Sequence, residues 1–77
     1  MEQIIKQRQA ILMLLYRARQ NEQQHLKGFV SENDLNDSLG ECRFNLDVLV
    51  ELGQVQRDGY KYRITGQGVV ATEAVSL

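Results

Sequence analysis

The side chains with chemistry to offer gather between Gln54 and Arg63. Arg57, Lys61 and Arg63 are cations, Gln54 and Gln56 carry amides, and Asp58 is the one acid among them. Cations grip phosphates and carboxylates, and amides hydrogen-bond to polar edges; none of these groups is a nucleophile at neutral pH. The more reactive residue types are isolated. His25 has no second ligand nearby, and Cys42 is the lone cysteine. Catalysis needs a base, a nucleophile or a metal cluster in mutual reach. Gly66-Gln67-Gly68 lacks the rest of a nucleotide-binding fingerprint. Asp34, Asp37 and Glu41 follow helix-cap spacing rather than that of a calcium loop. The expected chemistry is binding without catalysis, cofactor or metal, with His25 a solvated surface residue.

Charge is distributed unevenly. The net charge is −1, but residues 1–27 carry Lys6, Arg8, Arg17, Arg19 and Lys27 against Glu2 and Glu22, a balance of +3. Residues 28–53 set Arg43 against Glu32, Asp34, Asp37, Glu41, Asp47 and Glu51, a balance of −5. Residues 54–65 return to +2. Positive charge is thus expected on the first helix and on the 54–65 segment, where Arg17, Arg19 and Lys27 would add to the cations already named. Negative charge lies between them.

The 77 residues make one domain, 1–77. A chain of this size buries roughly 60% of its unfolded surface, so its core is thin. The single cysteine excludes an internal disulfide and fits a packed thiol in a reducing compartment. The longest apolar run, Ala10 to Tyr16, is far short of the roughly 20 residues of a membrane helix. The polar opening Met1-Glu2-Gln3 is not that of a signal peptide. A cytoplasmic location without membrane contact is the expectation.

Periodicity supplies the elements. Residues 2 to about 24 read as a long helix, with Ile4, Ile5, Ile11, Leu12, Leu15 and Ala18 on one broad face. Met13 and Leu14 lie off that face. Either the domain wraps this helix or its back pairs with a second copy. Residues 21–27 lose the period and read as a frayed end closed by Gly28. Phe29-Val30 is a β-prone pair able to add a third short strand. Ser31 to Asp34 is a Ser-x-x-acid start for a short helix through about Asp37. Asn36-Asp37-Ser38 is the expected turn.

Ser38 and Glu41 form a second capping box, opening a helix with Leu39, Cys42, Leu46, Leu49 and Val50 on its inner face. Gly53 stops it. Asp58-Gly59 then predicts a two-residue type I′ hairpin pairing Arg57 with Tyr60, Gln56 with Lys61, Val55 with Tyr62 and Gln54 with Arg63. Val55, Tyr62 and Ile64 would face inward, with Gln54, Gln56, Lys61 and Arg63 outward. Thr65-Gly66-Gln67-Gly68 caps a last helix from Val69 to about Ser76, packed by Val70, Ala71, Ala74 and Val75. The class is α+β, mostly α: a long N-terminal helix, a short helix-turn-helix, a two-stranded hairpin and a short C-terminal helix.

Leu52-Gly53-Gln54-Val55, the hairpin, and Ile64-Thr65-Gly66-Gln67-Gly68 together resemble the second half of bacterial and archaeal winged-helix transcription regulators. The resemblance covers residues 29–70. It implies a winged helix-turn-helix fold and binding of double-stranded DNA, with the second motif helix in the major groove and the wing on the backbone. Carried onto this chain, the DNA contacts would be Arg43, Asn45, Gln54, Gln56, Arg57, Lys61 and Arg63. Homodimerisation through the first and last helices is a further expectation.

The second motif helix departs from the family. Its outward positions are Arg43, Phe44, Asp47 and Glu51, and its carboxylates would be repelled by phosphates. Phe44, Asp47 and Glu51 fit a protein-binding surface instead, unless Phe44 tucks beneath the first helix.

Overall fold

The computed structural model describes residues 2–21 and 27–76. In chain order the elements are α1 (Glu2–Gln20), β1 (Val30–Ser31), α2 (Glu32–Leu39), α3 (Arg43–Glu51), β2 (Val55–Asp58), β3 (Lys61–Ile64) and α4 (Gly66–Ser76). The protein is α+β and mostly helical. Its three strands form one antiparallel sheet in the order β1-β3-β2. The third strand foreshadowed by Phe29-Val30 is β1. His25 and most of the expected frayed segment lie outside the described residues.

Helix α1 is the axis of the domain, packing against α2, α3, α4 and β3. Ile11 and Leu15 are buried with Leu35, Cys42, Leu46, Leu49, Val55, Tyr62 and Ile64 in one cluster. Ile4 and Ile5, expected on the same face, are exposed. At this end of α1 the polar side chains of Gln7 and Asn45 meet across the α1–α3 interface.

The start of α2 follows local chemistry. Ser31 is its N-cap and accepts from the Asp34 amide at 3.1 Å. The second capping box does not form. Ser38 lies inside α2, and α3 begins at Arg43 with Cys42 as an N-cap that contributes no side-chain bond. The turn sits at Gly40–Cys42 rather than Asn36–Ser38. Gly40, at φ +80°, takes the conformation that stops α2, and its amide donates to the Asn36 carbonyl at 2.8 Å. Gln7 Nε2 then donates to the carbonyls of Leu39 and Glu41, each at 3.0 Å, and ties the turn to α1. Two long-range bonds outweigh one local signature.

The hairpin is also displaced by one step. Asp58 pairs with Lys61, Arg57 with Tyr62, Gln56 with Arg63 and Val55 with Ile64. The two-residue turn is therefore Gly59-Tyr60. Only Gly59, at φ +65°, needs a positive angle, the arrangement of a II′ turn with glycine first. Tertiary structure selects it: the Glu32 amide, at the start of α2, donates to the Tyr60 carbonyl at 2.8 Å. Because both strands move together, side-chain parity is kept. Val55, Tyr62 and Ile64 are buried as expected.

Gly53 stops α3 at φ +77°, and Thr65 caps α4, its Oγ1 accepting from the Gly68 amide at 3.1 Å. Helix α4 begins at Gly66, ahead of the expected Val69, and its packing face differs from the one anticipated. Val70, Ala74 and Val75 are exposed, whereas Gly68 and Thr72 are buried. A Cβ at Gly68 would collide with the Gln54 carbonyl oxygen and with Ile64 Cγ1. This backbone approach fixes the rotation of α4 and turns Val70 and Val75 outward.

Candidate functional site

Helix α3 carries Arg43, Phe44, Asn45, Asp47 and Glu51, half of the side chains weighed for DNA or protein contact. Cys42, Leu46 and Leu49 take its buried side, so Arg43, Phe44, Asp47 and Glu51 face solvent. Phe44 is 64% exposed, which removes the core alternative. Val48 is half-buried and Leu52 is 50% exposed. At i+4 and i+8 from Phe44 they share its side of the helix. This ridge goes unnoticed in the sequence, although that spacing is the signal that would find it.

Arg43 is held by carboxylates. Its Nη1 lies 3.2 Å from Glu32 Oε2 and 3.3 Å from Oε1, and its Nε lies 3.5 Å from Asp47 Oδ1. Its backbone amide donates to Glu41 Oε1 at 2.9 Å. The Glu32 charge, with its hydrogen bond, pushes the guanidinium pKa up from the ordinary value. The charge that would meet a phosphate or a guanine edge therefore already has carboxylate partners at the surface of the same chain.

Asn45 is only 1% exposed. Its Nδ2 donates to the Ile4 carbonyl at 3.0 Å and to Gln7 Oε1 at 2.7 Å, while its Oδ1 accepts from Arg8 Nε at 3.1 Å. It joins α1 to α3 and has no free edge for a base. That corrects its expected place among the DNA contacts. An ideal helical wheel leaves the point open, because position 45 sits at the boundary of the core stripe.

The hairpin cations divide between two faces. Lys61 and Arg63 lie on the outer face of β3, with Lys61 Nζ 5.1 Å and Arg63 Cζ 6.0 Å from the centre of the Phe29 ring. Such contacts are cation–π in character. Arg63 Nε is enclosed, with no hydrogen-bond partner among the described residues. Arg57 belongs to the Tyr62 side, exposed near the tip, with its Nε donating to the Gly59 carbonyl at 3.3 Å. Gln56 is exposed and Gln54 half-buried.

The first-helix cations also disperse. Arg19 Nη1 donates to the Ile64 carbonyl at 3.0 Å, and Arg17 borders an open groove with Asp34 and Ser38. Lys27 is exposed.

Charge and burial also set the reactivity of the remaining groups. Cys42 Sγ donates to Asn36 Oδ1 at 3.4 Å. Burial first, then the charges of Glu32 and Glu41, raise its thiol pKa, which keeps it protonated and poorly nucleophilic. Burial likewise raises the Tyr62 phenol, whose hydroxyl donates to Glu32 Oε1 at 3.4 Å. Glu32 is therefore shared between β3 and α3.

Among the described residues no group of three His, Cys, Asp or Glu side chains is placed to hold a metal ion. No helix among them is long and apolar enough to cross a membrane. Compared with protein-family models, curated proteins and solved structures, the chain matches none of them.

Proposed function

We propose that the protein is a winged-helix module that docks a protein partner on α3, with Phe44 as apolar anchor and Asp47 and Glu51 as acidic rim. The element order and the β1-β3-β2 sheet support the winged-helix reading, with α2–α3 as the helix pair and β2–β3 as the wing. The observation that carries the docking reading is the 64% exposure of Phe44 beside carboxylates, on a helix whose Arg43 is engaged and whose Asn45 is buried. Aromatic anchors dominate interface energetics, each worth about 2 kcal/mol or more. The rim calls for a partner with an apolar pocket flanked by arginine or lysine.

Immobilised wild type, Phe44→Ala and Asp47→Lys test this. A protein captured from lysate by wild type alone, then purified, should bind wild type directly and Phe44→Ala at least about 30-fold more weakly. Equal binding by all three chains overturns the reading.

A second reading is favoured by Lys61 and Arg63, which have no carboxylate partner among the described residues. They suit the phosphate backbone of double-stranded DNA, with Arg57 and Gln56 at the margins, as in a small transcription regulator. Micromolar binding to mixed-sequence duplex with steep salt dependence supports it, and silence at about 50 mM salt sinks it. Both readings are of a cytoplasmic binding protein without catalysis.

A further inference from the structure

We infer that the outer face of the sheet binds single-stranded nucleic acid, with Phe29 stacking an unpaired base and Lys61 and Arg63 holding the backbone beside it. The strands bring these three together. Val30 pairs with Tyr62 on the inner face, so alternation puts Phe29, one residue earlier, on the outer face beside Arg63. Lys61 reaches the same ring from two residues along β3, its Nζ 5.1 Å from the ring centre against 6.0 Å for Arg63 Cζ. All three side chains are half-buried, which leaves part of each to solvent.

Charge selects a polyanion. Asp58 pairs with Lys61 across the hairpin and shares its face. Even so, among the described residues neither Lys61 nor Arg63 lies within ion-pair distance of a carboxylate. Lys27, exposed two residues before Phe29, is a further cation at this edge of the sheet, whereas Arg57 belongs to the opposite side. Three cations against one acid leave the face positive.

Phe29 decides between duplex and single strand. Phosphate contacts serve either form. The bases of a duplex stack on one another, whereas an unpaired base can lie against an aromatic ring or a guanidinium plane. Gln56, exposed on the same face, and Gln54, half-buried there, offer amides to base edges. Cations along a backbone with an aromatic to take a base are the parts of a sequence-tolerant single-strand site. The inference rests on the reading in which Lys61 and Arg63 meet phosphates, and it exchanges the duplex for an unpaired strand.

Fluorescence anisotropy with four labelled probes of about 15 nucleotides tests it. The probes are oligothymidylate, oligouridylate, a mixed-sequence duplex, and an abasic deoxyribose-phosphate strand that keeps the charges without the bases. At about 50 mM salt the thymidylate or the uridylate strand should bind at least about 10-fold more tightly than the duplex and the abasic strand. Phe29→Leu should remove that advantage and leave the abasic strand's affinity little changed. Lys61→Gln with Arg63→Gln should weaken every probe and flatten the salt dependence. Three results overturn the inference: silence toward all four probes, an abasic strand bound as well as the single strands, or an advantage that survives Phe29→Leu. The abasic comparison needs wild type alone, so it decides the matter even if Phe29→Leu does not fold. A duplex bound more tightly than both single strands also overturns it while leaving the duplex reading standing. No residue of α3 takes part, so failure here leaves the docking reading untouched.

Discussion

Asn45 Nδ2 donates to Gln7 Oε1 at 2.7 Å, the shortest of the three side-chain bonds by which Asn45 holds α3 to the first turns of α1. Asn45→Leu leaves the Ile4 carbonyl and the Gln7 amide oxygen without their donor. Ile4 and Gln7 are only partly covered, so the cost falls at the lower end of the about 1–3 kcal/mol that unpairing a buried polar group brings. A lower urea midpoint, with any duplex DNA affinity unchanged, is the expected result.

Two glycines near the start of α4 should respond in opposite directions. Gly68→Ala forces a methyl against the Gln54 carbonyl and Ile64, and overpacking of this kind costs about 1–3 kcal/mol or more. Gly66 has nothing within 4 Å of a Cβ and needs no positive φ. Gly66→Ala should add about 0.5–1 kcal/mol by restricting the unfolded chain. Thermal melts of the two variants should fall on either side of wild type.

The serines distinguish a cap that forms from one that does not. Ser31→Ala removes the acceptor for the Asp34 amide and should cost about 1 kcal/mol. Ser38, exposed inside α2, caps nothing. Ser38→Ala should leave stability within about 0.5 kcal/mol of wild type in the same denaturant titration.

Alkaline pH should weaken the fold through Tyr62 and Cys42. Both groups are neutral when protonated, and burial raises both above their unfolded values. The folded state therefore holds its protons longer than the unfolded state. The resulting stability is complete below the unfolded pKa values and is lost as pH rises through the folded ones. Denaturation midpoints should decline from about pH 8.5 upward, first through Cys42 and then through Tyr62. Tyr62→Phe should flatten the limb above about pH 10.

If the Arg43 clamp keeps α3 from DNA, loosening it should show. Glu32→Gln with Asp47→Asn removes both carboxylates that hold the guanidinium and two negative charges from the surface. Duplex binding at low salt should strengthen, with a steeper salt slope than wild type. An unchanged isotherm would show that the clamp does not limit binding.

Wherever a local rule had no competitor, the residues alone were sufficient. Ser31 capped its helix, Gly53 and Thr65 marked the boundaries on either side of the hairpin, and strand alternation sent Val55, Tyr62 and Ile64 inward. Period and capping are properties of a few neighbouring residues, so they can be read in one dimension. Other features were decided by groups far apart in the chain. The Tyr60 carbonyl is set by the Glu32 amide, the Gly40–Cys42 turn by Gln7, the rotation of α4 by Gln54 beneath Gly68, and the burial of Asn45 by Ile4, Gln7 and Arg8. A local preference of about 1 kcal/mol yields when several long-range hydrogen bonds and close packing oppose it, because each such bond contributes a comparable amount of about 0.5–1.5 kcal/mol.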